Sequence, residues 1–434
     1  MQDSDICRRM REDWDRRARE DAKYYVAFGR RRQDDEEFFA SGAELAKGLA
    51  RELERLPAAD HRARRALEIG CGLGRLMLPL AAYFGEIHGV DVSEEMVRLA
   101  REKLSGIPHA HVHLTGGADL AAFADDSFDF VCSYAVFQHI PSREVVFSYL
   151  REARRVLKPC GIFRFQLNGL PASGGNYDTW SGVRISADEI AVFAREHDFQ
   201  LLALEGVETQ YQWVTLRKRP SGWFAGLRGA AAQSPVRIRR ITNAYSSEPA
   251  VPARGRFAVA SLWIEDLPED CDLNTLEARV AGRGARLSYL GPARYGLKQL
   301  NLELPGGVGS GLQPLDLSWL GQPLAAPAAL RVIPPPPMVP RVVTVRDAID
   351  LLAGTRIHTR TVQVNLEETC EPERFEAAVD GRPVLEREIF CADPRPPLYQ
   401  ISFPLPKEVG PGVHQLEMRL GRRRFPPVTI EVLA

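Results

Sequence analysis

The sequence predicts a multidomain chain in which a charged helical leader precedes an α/β doubly wound domain and two all-β sandwich domains. Three observations carry that reading. Between about residues 64 and 218, strand-length apolar runs alternate with amphipathic helical stretches, the pattern of a parallel sheet wrapped by helices. Past residue 235 the helical period fades, and prolines, glycines and short alternating strands replace it. That second half also repeats itself. Cys271–Gly282 aligns without gaps on Cys370–Gly381 with five identities in twelve, and Gln299–Leu315 on Gln400–Leu416 with seven in seventeen. Chance gives about one identity in windows of that length. The C-terminal half is therefore read as two copies of one domain of roughly 95 residues, a usual size for a sandwich of antiparallel sheets.

Composition narrows the function classes. The chain has 434 residues, 56 Lys+Arg against 57 Asp+Glu, and a formal net charge of −1. That balance removes any whole-protein attraction to polyanions, and local basic runs such as Arg30–Arg32, Arg217–Arg219 and Arg422–Arg424 read as solvated faces. No nucleic-acid partner is expected. Seven cysteines without a C-x-x-C or zinc spacing make neither a disulfide framework nor a structural metal site. The stretch Met1–Glu20 is crowded with charge, and no run of 18 apolar residues occurs anywhere. The expectation is a cytoplasmic chain with no signal peptide and no membrane span.

The elements follow in order. Residues 1–57 form the leader, with Trp14, Ala18, Ala22 and Tyr25 at helical spacing, then Leu45, Leu49, Leu53 and Leu56. Residues 58–220 form the α/β domain. Its strands are expected at Leu67–Ile69, His88–Val90, Phe130–Cys132 and Ile162–Phe165, and its helices at Arg75–Phe84, Ser93–Leu104, Arg143–Leu157 and Ala187–His197. A linker over 221–235 leads to the first sandwich, 236–333; Pro334–Pro337 opens a stiff linker over 334–340, and the second sandwich occupies 341–434. Such an arrangement predicts that residues 1–220 fold alone.

The strongest chemical signal is Glu68-Ile69-Gly70-Cys71-Gly72-Leu73-Gly74, which follows a short apolar strand and opens a helix. Closely spaced glycines let the backbone turn tightly and let a ligand approach it. At the end of the next strand, 21 residues after Gly70, stands Asp91, a carboxylate able to accept both hydroxyls of a ribose. A nicotinamide dinucleotide fingerprint needs a third glycine three residues after the second, and Arg75 stands there instead.

What remains, acid-x-Gly-x-Gly-x-Gly, resembles motif I of class I S-adenosylmethionine-dependent methyltransferases. The resemblance continues through Ala124–Val131, similar to the fourth-strand motif, Val136–Ile140, similar to the substrate-facing loop, and Val156–Gly161, similar to the turn before strand five. It implies a Rossmann-like fold and S-adenosyl-L-methionine as cofactor. Glu68 would orient the methionine amino end, Gly70 and Gly72 would line the methionine and ribose, and Asp91 would hold the ribose hydroxyls. The neighbouring contacts would come from Cys71, Val92, Met96, Ala118, Asp119 and Gln138. The family often has an aspartate after strand three for the adenine amino group; here that place is Gly117, so Asp119 takes over or the backbone alone serves. The leader segment Trp14-Asp15-x-Arg17-Ala18 resembles the helix that caps the cofactor pocket in some of these enzymes, the alternative being a helix packed on the core.

Methyl transfer is an in-line displacement that needs a general base only for a hydroxyl or protonated amine. His139, just after strand four, is the candidate, against a structural histidine closing the loop before Pro141. His109, His111 and His113 share a strand face, but same-face neighbours converge poorly on one ion, so no metal is expected. Residues 168–182, with Tyr177 and Trp180, read as an acceptor lid or a plain surface loop. Gln210–Trp213 begins the probable last strand of the α/β domain, where aromatics are usually core. Cys71 and Cys132 show nothing that would activate a thiolate, and Cys271 and Cys370 read as buried small hydrophobes. The methyl acceptor is unassigned: a small molecule, lipid or glycan fits better than nucleic acid. The sandwiches are open to a glycan, a lipid-linked acceptor, a protein partner or self-association. Two rival readings stand beside the methyltransferase: a dinucleotide-dependent oxidoreductase, and a non-catalytic adaptor carrying the same fold.

Overall fold

The structure is a computed structural model that describes residues 3–27, 34–172, 177–228, 236–335, 339–348, 354–369, 371–393 and 398–433. Residues 42–336 with the first fifteen residues form one compact unit, and 16–41 with 337–434 form a second.

The leader is α1 (Asp3–Ala27) and α2 (Asp35–Ala50), followed by a 3-10 turn over Arg51–Arg55. Within α1, Asp21 leaves helical geometry at φ −166° and ψ 85°, and its carboxylate accepts from the Tyr24 N–H at 3.2 Å. The kink restarts the helical phase, so Tyr24 is buried rather than the expected Tyr25.

The central sheet comprises β1 (Arg65–Ile69), β2 (Glu86–Asp91), β3 (Ala110–Leu114), β4 (Phe128–Ser133), β5 (Leu157–Leu167), β6 (Phe199–Glu205) and β7 (Gln212–Lys218), in the order β3-β2-β1-β4-β5-β7-β6. β7 alone runs antiparallel, pairing Leu167↔Gln212 on one side and Glu205↔Trp213 on the other. Alternation along β1 sorts the faces: Leu67 and Ile69 enter one core, Ala66 the other. The covering helices are α3 (Met77–Leu80), α4 (Glu94–Lys103), α5 (Arg143–Val156) and α6 (Ala187–Glu196). Ser93, Ser142 and Ser186 cap the last three, Ser186 in a full capping box with Glu189. α3 is much shorter than the helix expected over Arg75–Phe84, because the third glycine is followed by turns before Met77 and a 3-10 turn takes over at Ala81. The turn expected at Val156–Gly161 is instead the end of α5 running into β5, where Cys160 has φ +64° and the pairing with β4 shifts from Phe128↔Leu157 to Phe130↔Ile162.

The C-terminal half is made of many strands in several sheets. The first repeat holds β8 (Arg237–Asn243), β9 (Val251–Pro252), β10 (Val259–Glu265), β11 (Leu276–Val280), β12 (Arg283–Leu290), β13 (Leu297–Glu303), β14 (Gly311–Trp319), β15 (Gln322–Pro323) and β16 (Ala328–Ile333). The second holds β17 (Arg341–Asp347), β18 (Arg356–Ile357), β19 (Thr361–Glu367), β20 (Phe375–Val379), β21 (Arg382–Pro383), β22 (Glu388–Asp393), β23 (Leu398–Pro404), β24 (Gly412–Leu420), β25 (Arg423–Arg424) and β26 (Val428–Val432). The pairings repeat: β8-β10-β13-β12 matches β17-β19-β23-β22, and the parallel pair β9·β16 matches β18·β26. The glycines ending the first identity window, Gly282 and Gly381, both sit at φ +75° in two-residue turns after residues that also have positive φ, which suits a tight hairpin. Cys271 is buried as expected, whereas Cys370 lies outside the described residues. Of the expected linkers, 229–235 and 336–338 lie outside them too.

The first repeat does not stand apart from the central sheet. Tyr289 of β12 pairs with Ala203 of β6. Beside it, the Leu273 N–H donates to Leu201 O at 2.9 Å, Leu201 N–H to Asp272 Oδ2 at 3.1 Å, and Gln200 Nε2 to the carbonyls of Glu269 and Cys271 at 2.7 and 2.8 Å. Arg55 Nη1 reaches Leu290 O at 2.6 Å. One apolar core runs from Leu202 and Phe130 to Leu287 and Leu290.

Candidate functional site

The site lies at the carboxyl ends of β1, β2 and β4, where an open parallel sheet leaves a crevice. Gly70, Gly72 and Gly74 have φ +73°, +52° and +81°, so the loop after β1 turns back on itself with bare backbone. A Cβ at Gly70 would lie 2.3 Å from Val136 Cγ2, so the loop after β4 closes directly on it. The Gly70 and Cys71 N–H groups both donate to Val90 O, at 2.8 and 3.0 Å.

Asp91 ends β2 and joins the loop to α4: its Oδ2 accepts from the Gly72 N–H at 2.9 Å and its Oδ1 from the Ser93 N–H at 3.0 Å. An ionised carboxylate has about four acceptor positions, more than the backbone donors of Gly72, Ser93 and Val92 take up. Burial raises its pKa, opposed by those backbone hydrogen bonds. Glu68 is 3% exposed, and its Oε2 has no hydrogen-bond partner. Burial pushes its carboxyl up to about 8, with the Arg75 charge acting against the shift and Asp91 adding to it.

The remaining expected cofactor residues sort by what they present. The Cys71 side chain is buried in the core beside Gly89, so this residue offers backbone, and burial holds its thiol far above the usual range. Met96 is buried in the first turn of α4, its N–H on Ser93 Oγ. Val92 and Cys7 flank Gly117, at φ +104°: a Cβ there would lie 3.1 Å from Cys7 Cβ and 3.4 Å from Val92 Cγ2. The leader thus fills the place where the family's adenine-binding aspartate would project. Asp119 is exposed and accepts from the Ala121 N–H at 3.1 Å, while Ala118 is half-buried.

His139 and Gln138 are each 7% exposed. His139 Nδ1 meets the Trp180 carbonyl at 2.7 Å; a carbonyl only accepts, so this nitrogen carries the proton. In the neutral ring Nε2 is then an acceptor, and Gln138 Nε2 lies 3.3 Å from it, while Gln138 Oε1 has no hydrogen-bond partner. The Trp14 edge meets the His139 ring at 5.7 Å, and Trp180 lies 5.8 Å away. Trp180, from the segment expected to form an acceptor lid, is thus beside His139.

Three consecutive leader residues each engage a different site loop. Asp13 Oδ2 accepts from Thr179 Oγ1 at 2.6 Å, Trp14 packs on His139, and Asp15 Oδ1 accepts from Ser93 Oγ at 2.5 Å and the Glu95 N–H at 3.1 Å. The sequence reading quoted Trp14 and Asp15 without giving either a contact, and it passed over Asp13. It also missed Tyr134, which stacks on Trp213 at 5.5 Å between near-parallel rings. The signal available was an aromatic residue immediately after strand four.

The expected histidine face is divided. His88, His111 and His113 gather on β2 and β3, with His88 Nδ1 3.1 Å from His113 Nε2, but His109 precedes β3 and meets the Ala81 carbonyl at 3.1 Å. Burial pushes His88 down to about 4. Among the described residues no group of His, Cys, Asp and Glu is arranged to hold a metal ion.

Strand order and loop geometry define a Rossmann-like methyltransferase fold. Residues 67–165 match the family model described as a methyltransferase domain. The chain is 37% identical over 133 residues to the uncharacterized methyltransferase YcgJ of Bacillus subtilis, covering 30% of this chain and 48% of that one. It is 31% identical over 116 residues to a ubiquinone biosynthesis O-methyltransferase of Xanthomonas oryzae pv. oryzae, covering 26% and 47%. A SAM-dependent methyltransferase from Aquifex aeolicus aligns with 18% identity and a TM-score of 0.30, over 40% of this chain and 97% of that one. The chain spans about half the length of these two sequence relatives. No described helix is long and apolar enough to cross a membrane.

Proposed function

We propose that the chain is an S-adenosyl-L-methionine-dependent methyltransferase acting on a small-molecule, lipid or glycan acceptor. The observation that carries this reading is the buried Glu68 oxygen without a partner, beside a bare glycine loop and Asp91. A buried polar atom left unsatisfied is costly, and an ammonium group would satisfy it. Glu68, the backbone of Gly70 to Gly72, and Asp91 would hold the cofactor, which when bound supplies a methyl group on a sulfonium.

This chain's own residues then bind, orient and exclude water. The Trp14 and Trp180 rings flank His139 and shield it from bulk solvent. His139 is held as the Nδ1–H tautomer by the Trp180 carbonyl, and its Nε2, which lies 3.3 Å from Gln138 Nε2, would exchange that contact for the proton of a hydroxyl or amine acceptor. We read the two C-terminal repeats as Ig-like sandwich modules over 236–333 and 341–434, supported by their matching two-sheet pairings.

Calorimetry with S-adenosylmethionine, S-adenosylhomocysteine and NAD tests the reading. Micromolar binding of the sulfur nucleosides without NAD is expected, and Asp91→Ala should weaken it by about 2–4 kcal/mol through two lost charge-assisted hydrogen bonds. Binding of NAD alone would point to an oxidoreductase, and near-wild-type affinity in Asp91→Ala would remove the ribose role.

A further inference from the structure

The two C-terminal repeats pair their strands in matching registers, so positions on one sheet face have counterparts on the other. On the exposed face of the second repeat, β20, β24 and β25 set Glu376, Arg419 and Arg424 side by side, through the pairs Glu376↔Arg419 and Arg419↔Arg424. The next row on that face holds Pro383, Ala378 and Glu417, through Ala378↔Pro383 and Ala378↔Glu417. The counterpart rows of the first repeat are Glu277, Ser318 and Pro323, then Gly284, Arg279 and Asp316.

Two differences reshape this face. An arginine, Arg279, occupies the centre of the second row in the first repeat, and Ala378 leaves only a methyl group there in the second. Where the first repeat has Ser318 and Pro323, the second carries the guanidinium groups of Arg419 and Arg424. Above Ala378 opens a cavity of about 480 Å³, walled by Glu376, Glu417, Arg419 and Arg424, with Met418 and Phe425 in its apolar lining. Arg419 is held in place, its Nε donating to Glu376 Oε2 at 3.0 Å and its Nη2 to the same oxygen. Glu417 and Arg424 form no hydrogen bond or ion pair among the described residues.

We propose that this cavity binds a neutral sugar. Two carboxylates and two guanidinium groups face it, so its charge favours neither an anion nor a cation. Exposed ion pairs gain little in water, which leaves a charged ligand small advantage from Glu417 or Arg424. Vicinal hydroxyls suit both groups: a carboxylate accepts two O–H bonds, and a guanidinium fork donates two parallel N–H bonds. The apolar lining meets the C–H side of a sugar ring. The volume falls within the roughly 300–1,000 Å³ of small-molecule sites. Binding here is independent of the methyltransferase reading, because every residue of the site belongs to the second repeat.

Saturation-transfer NMR on the full chain tests this site, with D-glucose, D-galactose, D-mannose and N-acetyl-D-glucosamine as neutral probes and L-alanine as a zwitterionic one. At least one sugar is expected to take up saturation, and L-alanine none. Ala378→Arg gives the second repeat the residue that the first carries at this register. It should weaken sugar binding roughly tenfold by filling the cavity, with the melting temperature unchanged. If Ala378→Arg does not fold, Arg424→Ala takes its place at an exposed position, with a loss of roughly tenfold again expected. Saturation of no sugar, saturation of L-alanine, or equal saturation of a sugar in wild type and variant would each overturn the proposal.

Discussion

In the proposed reading Glu68 and His139 are the single residues on which most depends, and Glu68 can be probed by titration. The Glu68 carboxyl sits near 8 in the folded chain against an ordinary value of 4.5. Between those values the folded state keeps a proton that the unfolded state has released, so this group's contribution to stability falls as pH rises through the window. Arg75, Asp91, Cys71 and Cys132 are the titratable groups that interact with it. Thermal melts of the ligand-free chain at pH 5 and pH 8 should therefore show a smaller drop in Glu68→Gln than in wild type; equal drops would refute the buried-carboxyl account. A bound ligand ammonium would reverse the preference, so binding at pH 7 should release a proton, measurable as a buffer-dependent heat. For His139, the expected signature of a base is a large loss of turnover in His139→Asn with cofactor affinity unchanged. A variant that loses only thermal stability would return His139 to a structural role.

Helix α1 acts on the site through the turn Asp13-Trp14-Asp15, which touches the loops after β5, β4 and β2 in that order. Asp15 is an external cap for α4: Ser93 already caps that helix through the Met96 N–H, and Asp15 adds an acceptor for Ser93 Oγ and the Glu95 N–H. Replacing Asp15 by Ala removes both bonds. The expected cost is about 1 kcal/mol, or roughly 2–4 °C in Tm, together with weaker cofactor binding, because Ser93 N–H also holds Asp91. Unchanged melting and affinity would show that the leader lies over the site without supporting it.

The central sheet and the first repeat share a core and a strand-to-strand junction, so the expectation that residues 1–220 fold alone meets a physical objection. A cut at 220 leaves Gln200 Nε2 without its two carbonyls, Arg55 without Leu290 O, and β6 as an exposed edge lined by buried apolar side chains. A chain ending at 335 should bind cofactor, whereas one ending at 220 should aggregate or melt about 6–12 °C lower through roughly 3 kcal/mol of lost contacts. Comparable melting of the two would mean that the junction is decorative. Asp272 adds to the objection: burial raises its carboxyl to about 6, and one of the hydrogen bonds resisting that shift comes from Leu201 of β6.

The sequence by itself determined what depends on local pattern. Alternating apolar runs and helical periods anticipated the strands of the Rossmann-like domain, glycine spacing anticipated the tight loop that Asp91 joins, and identities at fixed offset anticipated the matching strand pairings of the C-terminal half. These are legible because backbone conformation and side-chain periodicity act over a few residues. Local pattern did not reach the Asp21 kink, which moves burial from Tyr25 to Tyr24, or the separation of His109 from His111 and His113. Only the tertiary structure decided which distant groups meet: Cys7 filling the space beside Gly117, Asp13 to Asp15 bridging three loops, Tyr134 stacking on Trp213 beneath Arg75, and β12 extending the sheet at β6. Such contacts join residues up to a few hundred positions apart, and chain folding rather than spacing sets their distance. The orphaned oxygen of Glu68 is the clearest case, since only packing decides whether a carboxylate in a motif is buried and left without a hydrogen-bond partner.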